Sequence, residues 1–301
     1  MKRQLLHVTI KFNLIELFRL GNYKSMIEVS FYKIKMEIEG LHMSEFIENE
    51  AGKKLNIGGI ELYYELLGEH HEGPTLVFDS GYGVTLENWN SIKDEVSKFS
   101  RMFIYDRAGI GKSGMDDRPR HSRKSVENLR ILLKKAEVKP PYVLVGHSLG
   151  GLNIRLFAST YPEEVAGVVL LDSSHEDQNK ILPLLFTKEV QEAYYNQFTL
   201  EGSLHEVEES LEQVRNKSFG NIPLIVVTGG LQPFHTKESM AIWMKFQEEL
   251  ANLSTNKHHI IVEDAGHAIH IDKPDVVIGI LRDILCRVKD DKKHFEDSEF
   301  R

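Results

Sequence analysis

The sequence predicts an α/β protein: a doubly wound, mostly parallel sheet covered by helices on both faces, with a short helical lid inserted after the sixth strand. Three observations carry this expectation. Short runs rich in Val, Ile and Leu alternate with segments of helical periodicity along residues 53–288. The runs are continuously apolar, which marks strands buried on both faces. The repeated order strand, helix, strand demands crossover connections and therefore a parallel sheet.

Taken in order, the strand candidates are Ile60–Leu67, Thr75–Phe78, Met102–Tyr105, Tyr142–Val145, Val165–Leu171, Leu224–Val227 and His259–Val262. Helix candidates lie between them at Leu86–Phe99, Ser122–Ala136, Leu152–Tyr161, Lys237–Leu250 and Asp275–Val288. One interval breaks the rhythm. About 50 residues, 173–221, separate two strands and hold acidic helical segments such as Leu204–Arg215, and so long a connection is expected to have structure and a function of its own. The expected organisation is thus a core of residues 43–172 and 222–289, a helical lid over 173–221, and a frayed, charged tail over 290–301.

The 301 residues are 41% hydrophobic and 27% charged, the balance of a globular chain with a sizeable core. Lys and Arg number 37 against 45 Asp and Glu, for a net charge of -8 and no basic stripe. Nucleic acid is therefore not an expected partner. The single Cys286 allows neither an internal disulfide nor a thiolate metal site, which favours a reducing, cytoplasmic compartment. Residues 1–42 read differently from the rest. Lys11, Asn13, Glu16 and Arg19 interrupt the apolar stretch that follows the basic start, so it is neither a signal peptide nor a membrane span. One reading is an amphipathic helix over Leu5–Leu20. The favoured reading is that translation begins at Met43, since Glu39-Gly40 is encodable by a purine-rich GAG-GGN, resembling a bacterial ribosome-binding site.

The chemistry concentrates at Tyr142-Val-Leu-Val-Gly146-His147-Ser148-Leu149-Gly150-Gly151. A G-x-S-x-G placed directly after an apolar strand and before a helix makes a sharp turn that lifts the serine hydroxyl off the sheet edge. The helix N-terminus that follows offers N–H groups to developing negative charge. A serine needs a neighbouring base. Among 14 histidines, His267 sits just past the last strand, in Val262-Glu-Asp264-Ala-Gly266-His267, where the chain returns to the same edge. His270 is read as a satisfied polar residue, His147 as a packing residue, and the pair His267-x-x-His270 as lacking the further ligands of a metal site.

These residues resemble the α/β-hydrolase superfamily over nearly all of Ile57–Val288. Beside the elbow and Gly266-His267, the stretch Tyr105-Asp106-Arg107-Ala-Gly109-Ile-Gly111-Lys-Ser113 is similar to the family's D-x-x-G-x-G-x-S, which braces loops. Asp79-Ser80-Gly81-Tyr82-Gly83 resembles the family's Ser-Gly-x-Gly variant. The resemblance implies an oxyanion hole from the backbone N–H groups of Tyr82 and Leu149. The usual G-x-x-D after the penultimate strand is Gly229-Gly230-Leu231-Gln232 here, and glutamine carries no charge. Asp172, ending the run Val165–Leu171 at the edge that carries Ser148, is the expected acid, as in superfamily members that place it after this strand. Asp79 and Asp264 are read as loop stabilisers, and the rivals to Asp172 are Gln232 as a neutral partner of the histidine and Glu238 from the next helix.

The expected function is serine hydrolysis of a carboxylic ester or related acyl bond in a small to medium apolar substrate, through an acyl-Ser148 intermediate with His267 as base and Asp172 as its orienting acid. No cofactor is implied. Peptidase, lactonase, carbon–carbon hydrolase and acyltransferase chemistry share the same triad. The alternative from another class is a slow-turnover ligand sensor of the same fold that signals to a protein partner.

Overall fold

The computed structural model describes residues 52–299. The expectations for residues 1–42 and for a start at Met43 lie outside the described residues. Among the described residues eight strands form one sheet: β1 (Lys53–Asn56), β2 (Glu61–Leu67), β3 (Thr75–Asp79), β4 (Met102–Tyr105), β5 (Tyr142–His147), β6 (Val165–Leu171), β7 (Leu224–Gly229) and β8 (Lys257–Val262). Their spatial order is β1-β2-β4-β3-β5-β6-β7-β8. β1 and β2 run antiparallel, and every pair from β4 to β8 is parallel. β1 escaped the sequence reading because Lys53-Lys-Leu-Asn56 is an exposed, polar edge strand with no apolar run.

The helices are α1 (Lys93–Val96), α2 (Ser122–Lys135), α3 (Leu149–Thr160), α4 (Gln178–Ile181), α5 (Lys188–Asn196), α6 (Leu204–Gln213), α7 (Lys237–Ala251), α8 (Ile269–Asp272) and α9 (Pro274–Glu299). The helix expected over Leu86–Phe99 is a 3-10 turn, Leu86–Trp89, followed by the single turn of α1. The tail expected to fray stays helical to Glu299, for nothing in Lys289–Glu299 is a glycine or proline that would stop it.

Strand alternation divides the core. Leu144 of β5, Val168 and Leu170 of β6 and Val226 of β7 join the cluster under α2, α3 and α6. Their neighbours Val143, Val145, Val169, Leu171, Ile225 and Val227 join the cluster beneath α8 and α9. Successive strand side chains point to opposite faces, so an all-apolar strand supplies both layers. Each fully buried Val, Leu or Ile contributes about 1.5–3 kcal/mol.

α4, α5 and α6 occupy the interval between β6 and β7. α6 carries a capping box, with Ser203 and Glu206 bonded reciprocally. It also caps its neighbour: the amides of Ser122 and Arg123 at the start of α2 donate to Ser210 Oγ (2.8 Å) and Gln213 Oε1 (2.7 Å). This satisfies N–H groups that a helix leaves unpaired in its first turn. Among the described residues no helix is long and apolar enough to cross a membrane.

Candidate active site

The register brings five strand ends to one edge. Asp79 of β3 pairs with Gly146, His147 with Leu171, Leu171 with Val227, and Gly229 with Val262. Ser148, Asp172 and the loop carrying His267 follow directly on these ends. Parallel sheets leave their carboxyl ends open to a ligand, because there the connections leave the sheet in turn.

Ser148 stands at the tip of the elbow with φ 54° and ψ -121°, a backbone conformation costing about 1–3 kcal/mol for a non-glycine residue. Flanking glycines permit it by close approach: a Cβ on Gly146 would lie 2.7 Å from Gly151 Cα, and one on Gly150 would lie 2.2 Å from the Asp79 carbonyl oxygen. The turn is tied down on both sides, Ser148 N–H donating to Leu171 O (3.2 Å) and Ser174 N–H to Ser148 O (3.0 Å).

Asp172 is fully buried, with φ 43°. Its carboxylate receives four donors. His267 Nδ1 lies 2.6 Å and Gln232 Nε2 2.8 Å from Oδ2, while Gly229 N–H and the Trp243 indole, each at 3.1 Å, donate to Oδ1. That fills the acceptor positions of an ionised carboxylate and compensates its removal from water. Gln232 therefore stands where the sequence lacks a carboxylate, and its amide is spent on Asp172 instead of on the histidine. Glu238 is exposed on α7.

His267 is half-exposed, its side chain 46% accessible. No hydrogen bond joins its ring to Ser148 Oγ among the described residues. Its backbone is anchored by the elbow: His147 Nε2 lies 3.0 Å from His267 O, and the two rings are 4.7 Å apart. Burial first, and then the neighbouring His267 and His270, hold the His147 imidazole well below its usual pKa, so it is neutral and its Nε2–H donates to that carbonyl. His270 departs from the sequence reading. It is fully buried on α8, its ring 4.5 Å from Trp89, and both ring nitrogens lack a partner among the described residues. Burial pulls its pKa to about 3.

The loop after β3 passes against the elbow, since a Cβ on Gly81 would lie 3.4 Å from Ser148 Cβ and 3.2 Å from His147 Nδ1. The backbone N–H of Tyr82 has no acceptor among the described residues. Leu149 opens α3, where the first N–H groups have no intrahelical acceptor. Asp79 is fully buried and bonded to Arg107, Tyr105 and Asn153, and exposed Asp264 pairs with Lys273. Asp106 accepts the amides of Leu86 (2.7 Å) and Lys112 (2.9 Å), the bracing role expected of its motif. Sequence reasoning missed Trp243 and Glu201. The former is one buried face of an ordinary amphipathic helix, the latter an acid among many in an acidic segment.

A family model described as alpha/beta hydrolase fold matches residues 74–206. The chain is 32% identical over 218 residues to the uncharacterized protein YqjL of Bacillus subtilis (strain 168), a match spanning 71% of this chain and 84% of that one. A thermophilic esterase from Thermogutta terrifontis superposes with a TM-score of 0.58 at 19% identity, over 79% of this chain and 98% of its own. The enol-lactonase from Burkholderia xenovorans LB400 does so with a TM-score of 0.57 at 19% identity, over 78% and 100%. At that identity the structural likeness speaks for the fold alone.

Proposed function

We propose, from the premise that this chain belongs to the alpha/beta hydrolase family, that it is a serine hydrolase cleaving a carboxylic ester or related acyl bond through an acyl-Ser148 intermediate. The observation that carries the reading is the 2.6 Å contact from His267 Nδ1 to a buried Asp172 carboxylate, at the sheet edge where the strained elbow presents Ser148. With Nδ1–H donated to Asp172, the opposite nitrogen of His267 carries the lone pair. It takes the Ser148 proton as the hydroxyl attacks the acyl carbon, then returns it to the leaving alcohol. Asp172 stabilises the imidazolium in between. A water molecule repeats the sequence on the acyl-enzyme, with His267 again as base.

The negative oxygen of each tetrahedral intermediate is assigned to the N–H groups of Tyr82 and Leu149, donors worth ~10²–10³ in rate apiece. An apolar substrate is favoured by two exposed side chains beside the site, Leu200 and Leu231, which are 44% and 60% exposed. Leu200 lies over Gly83, and the Leu231 backbone lies beside Gly266. The test is a panel of p-nitrophenyl esters of increasing acyl length, with fluorophosphonate labelling mapped by mass spectrometry. Multiple turnover with an optimum acyl length, and label on Ser148, are expected. Label on another serine, or none, overturns the reading, and a single slow turnover replaces it with the sensor.

A further inference from the structure

Arg107 follows β4 and turns its guanidinium under the loop 79–83, where it is 5% exposed. All five of its N–H groups are used. Nε and Nη2 grip the Glu201 carboxylate, with Nη2 2.7 Å from Oε2; Nη1 reaches the Asp79 carboxylate and the Ser80 carbonyl (2.6 Å); Nη2 also donates to the Gly81 carbonyl (2.6 Å). The segment between α5 and α6 completes the grip. Glu201 Oε2 accepts the Gly83 amide (2.8 Å), and the Tyr82 hydroxyl donates to Gly202 O (2.5 Å) while accepting the Gly202 amide (3.0 Å).

The consequence is directional. The Gly81–Tyr82 peptide is trans, so its C=O and N–H point opposite ways. With the carbonyl held on Arg107, the Tyr82 N–H faces away from the guanidinium, while Gly81 itself lies against Ser148. Burial opposes the charge on Arg107, yet Glu201 and Asp79 push its pKa well above the usual value, so the fork stays ionised.

We propose that Arg107 and Glu201 are positioning residues for the oxyanion site. The buried Asp79–Arg107–Glu201 cluster sets the Gly81–Tyr82 peptide, and the inserted helical segment is, at residues 201–202, a fixed wall of that site. This rests on the serine-hydrolase reading. Glu201 is the informative position, because Asp79 has independent donors in Tyr105 (2.7 Å) and Asn153 (3.1 Å). In Glu201→Gln one oxygen becomes an NH2 that must face either Arg107 Nε or the pair Arg107 Nη2 and Gly83 N–H.

The experiment measures kcat and KM on the best p-nitrophenyl ester, the fluorophosphonate labelling rate, and hydrogen exchange of residues 80–84, for wild type, Glu201→Gln and Arg107→Lys. A misplaced oxyanion donor is expected to lower kcat and labelling together by ~10²-fold with KM nearly unchanged, and to speed exchange across 80–84. Arg107→Lys, which keeps the charge but not the fork, loses at least as much; should it fail to fold, Glu201→Gln alone decides. Wild-type kcat and labelling in Glu201→Gln, or a loss confined to KM, overturns the proposal. If the wild type itself neither turns over nor labels, the hydrolase reading falls, and exchange still decides whether this cluster holds the loop: unchanged exchange in Glu201→Gln overturns it.

Discussion

Replacing Asp172 by asparagine changes one oxygen into an amide and nothing in shape, and the hydrogen bonds around it dictate how the new side chain must sit. Were the NH2 placed at the Oδ1 position, it would face Gly229 N–H and the Trp243 indole, a backbone donor and a side chain that only donates. Placed at the Oδ2 position, it faces Gln232 and His267, both of which can invert: Gln232 by turning its amide, His267 by changing tautomer. The second seating leaves no donor facing a donor and is the one expected. It makes His267 Nδ1 an acceptor and moves the ring proton to Nε2, the nitrogen that must be free to take the Ser148 proton. The wrong tautomer in a serine triad costs up to ~10⁴ in kcat, or about 5.5 kcal/mol in the barrier. Folding is preserved, because the buried group stays hydrogen-bonded and its charge is gone. Steady-state ester hydrolysis with a parallel thermal melt is the assay. Asp172→Asn within tenfold of wild type, with an unchanged melt, would refute the assignment of the acid.

Other perturbations read other parts of the site. Ser148→Ala should abolish fluorophosphonate labelling and lower ester kcat by on the order of 10⁶, and the melting temperature should hold, since the change removes one hydroxyl and leaves the backbone at the same left-handed φ. Gly81→Val should cost ~10-fold or more in kcat with little loss of stability: its backbone is not left-handed, but methyl groups beyond a Cβ already 3.4 Å from Ser148 Cβ crowd the elbow. Normal kcat there would move the oxyanion donors elsewhere. Gln232→Leu removes one of the four donors to Asp172 and is expected to lower kcat about 10-fold and stability by ~1–3 kcal/mol, the cost of a lost bond to a charged group; indifference in both would reduce Gln232 to packing. Finally, His270 is neutral when folded down to about pH 3 but takes up a proton near 6.5 when unfolded. The unfolded chain then binds more protons, so stability contributed by this site is intact above pH 6.5 and drains by up to ~1.4 kcal/mol per unit as pH falls toward 3. Urea titrations of wild type and His270→Phe should diverge below pH 6.5, with the variant flatter; parallel curves would contradict the burial argument.

The placement of Ser148 and of the His267 loop at one sheet edge was readable because the strand ends that carry them are marked locally. The turn at Gly146–Gly151 lies within six consecutive residues, and Gly146 is required by backbone inside that turn, whereas Gly150 is pressed by the Asp79 carbonyl and Gly151 by the Ser173 side chain, both from other strand ends. The two-sided core was equally legible, since continuous apolar strands can only be buried on both faces. The edge strand β1 and the broken helix at Leu86–Val96 were not, because β1 carries no apolar run and a 3-10 turn shares the helix's periodicity over so few residues.

The amino-acid order thus determined by itself a parallel α/β sheet, the sharp turn that carries Ser148 and the strand end on which Asp172 stands. Only the tertiary structure decided what surrounds that acid. Gln232 and Trp243 reach Asp172 across 60 and 71 positions of chain, and Glu201 reaches Arg107 across 94. His270 carried no sign that it would be buried without partners. Periodicity and motif spacing report on neighbours within a turn or a strand, whereas a buried polar network is set by which distant side chains the packed layers bring within 3 Å, where a donor must meet an acceptor because water no longer can.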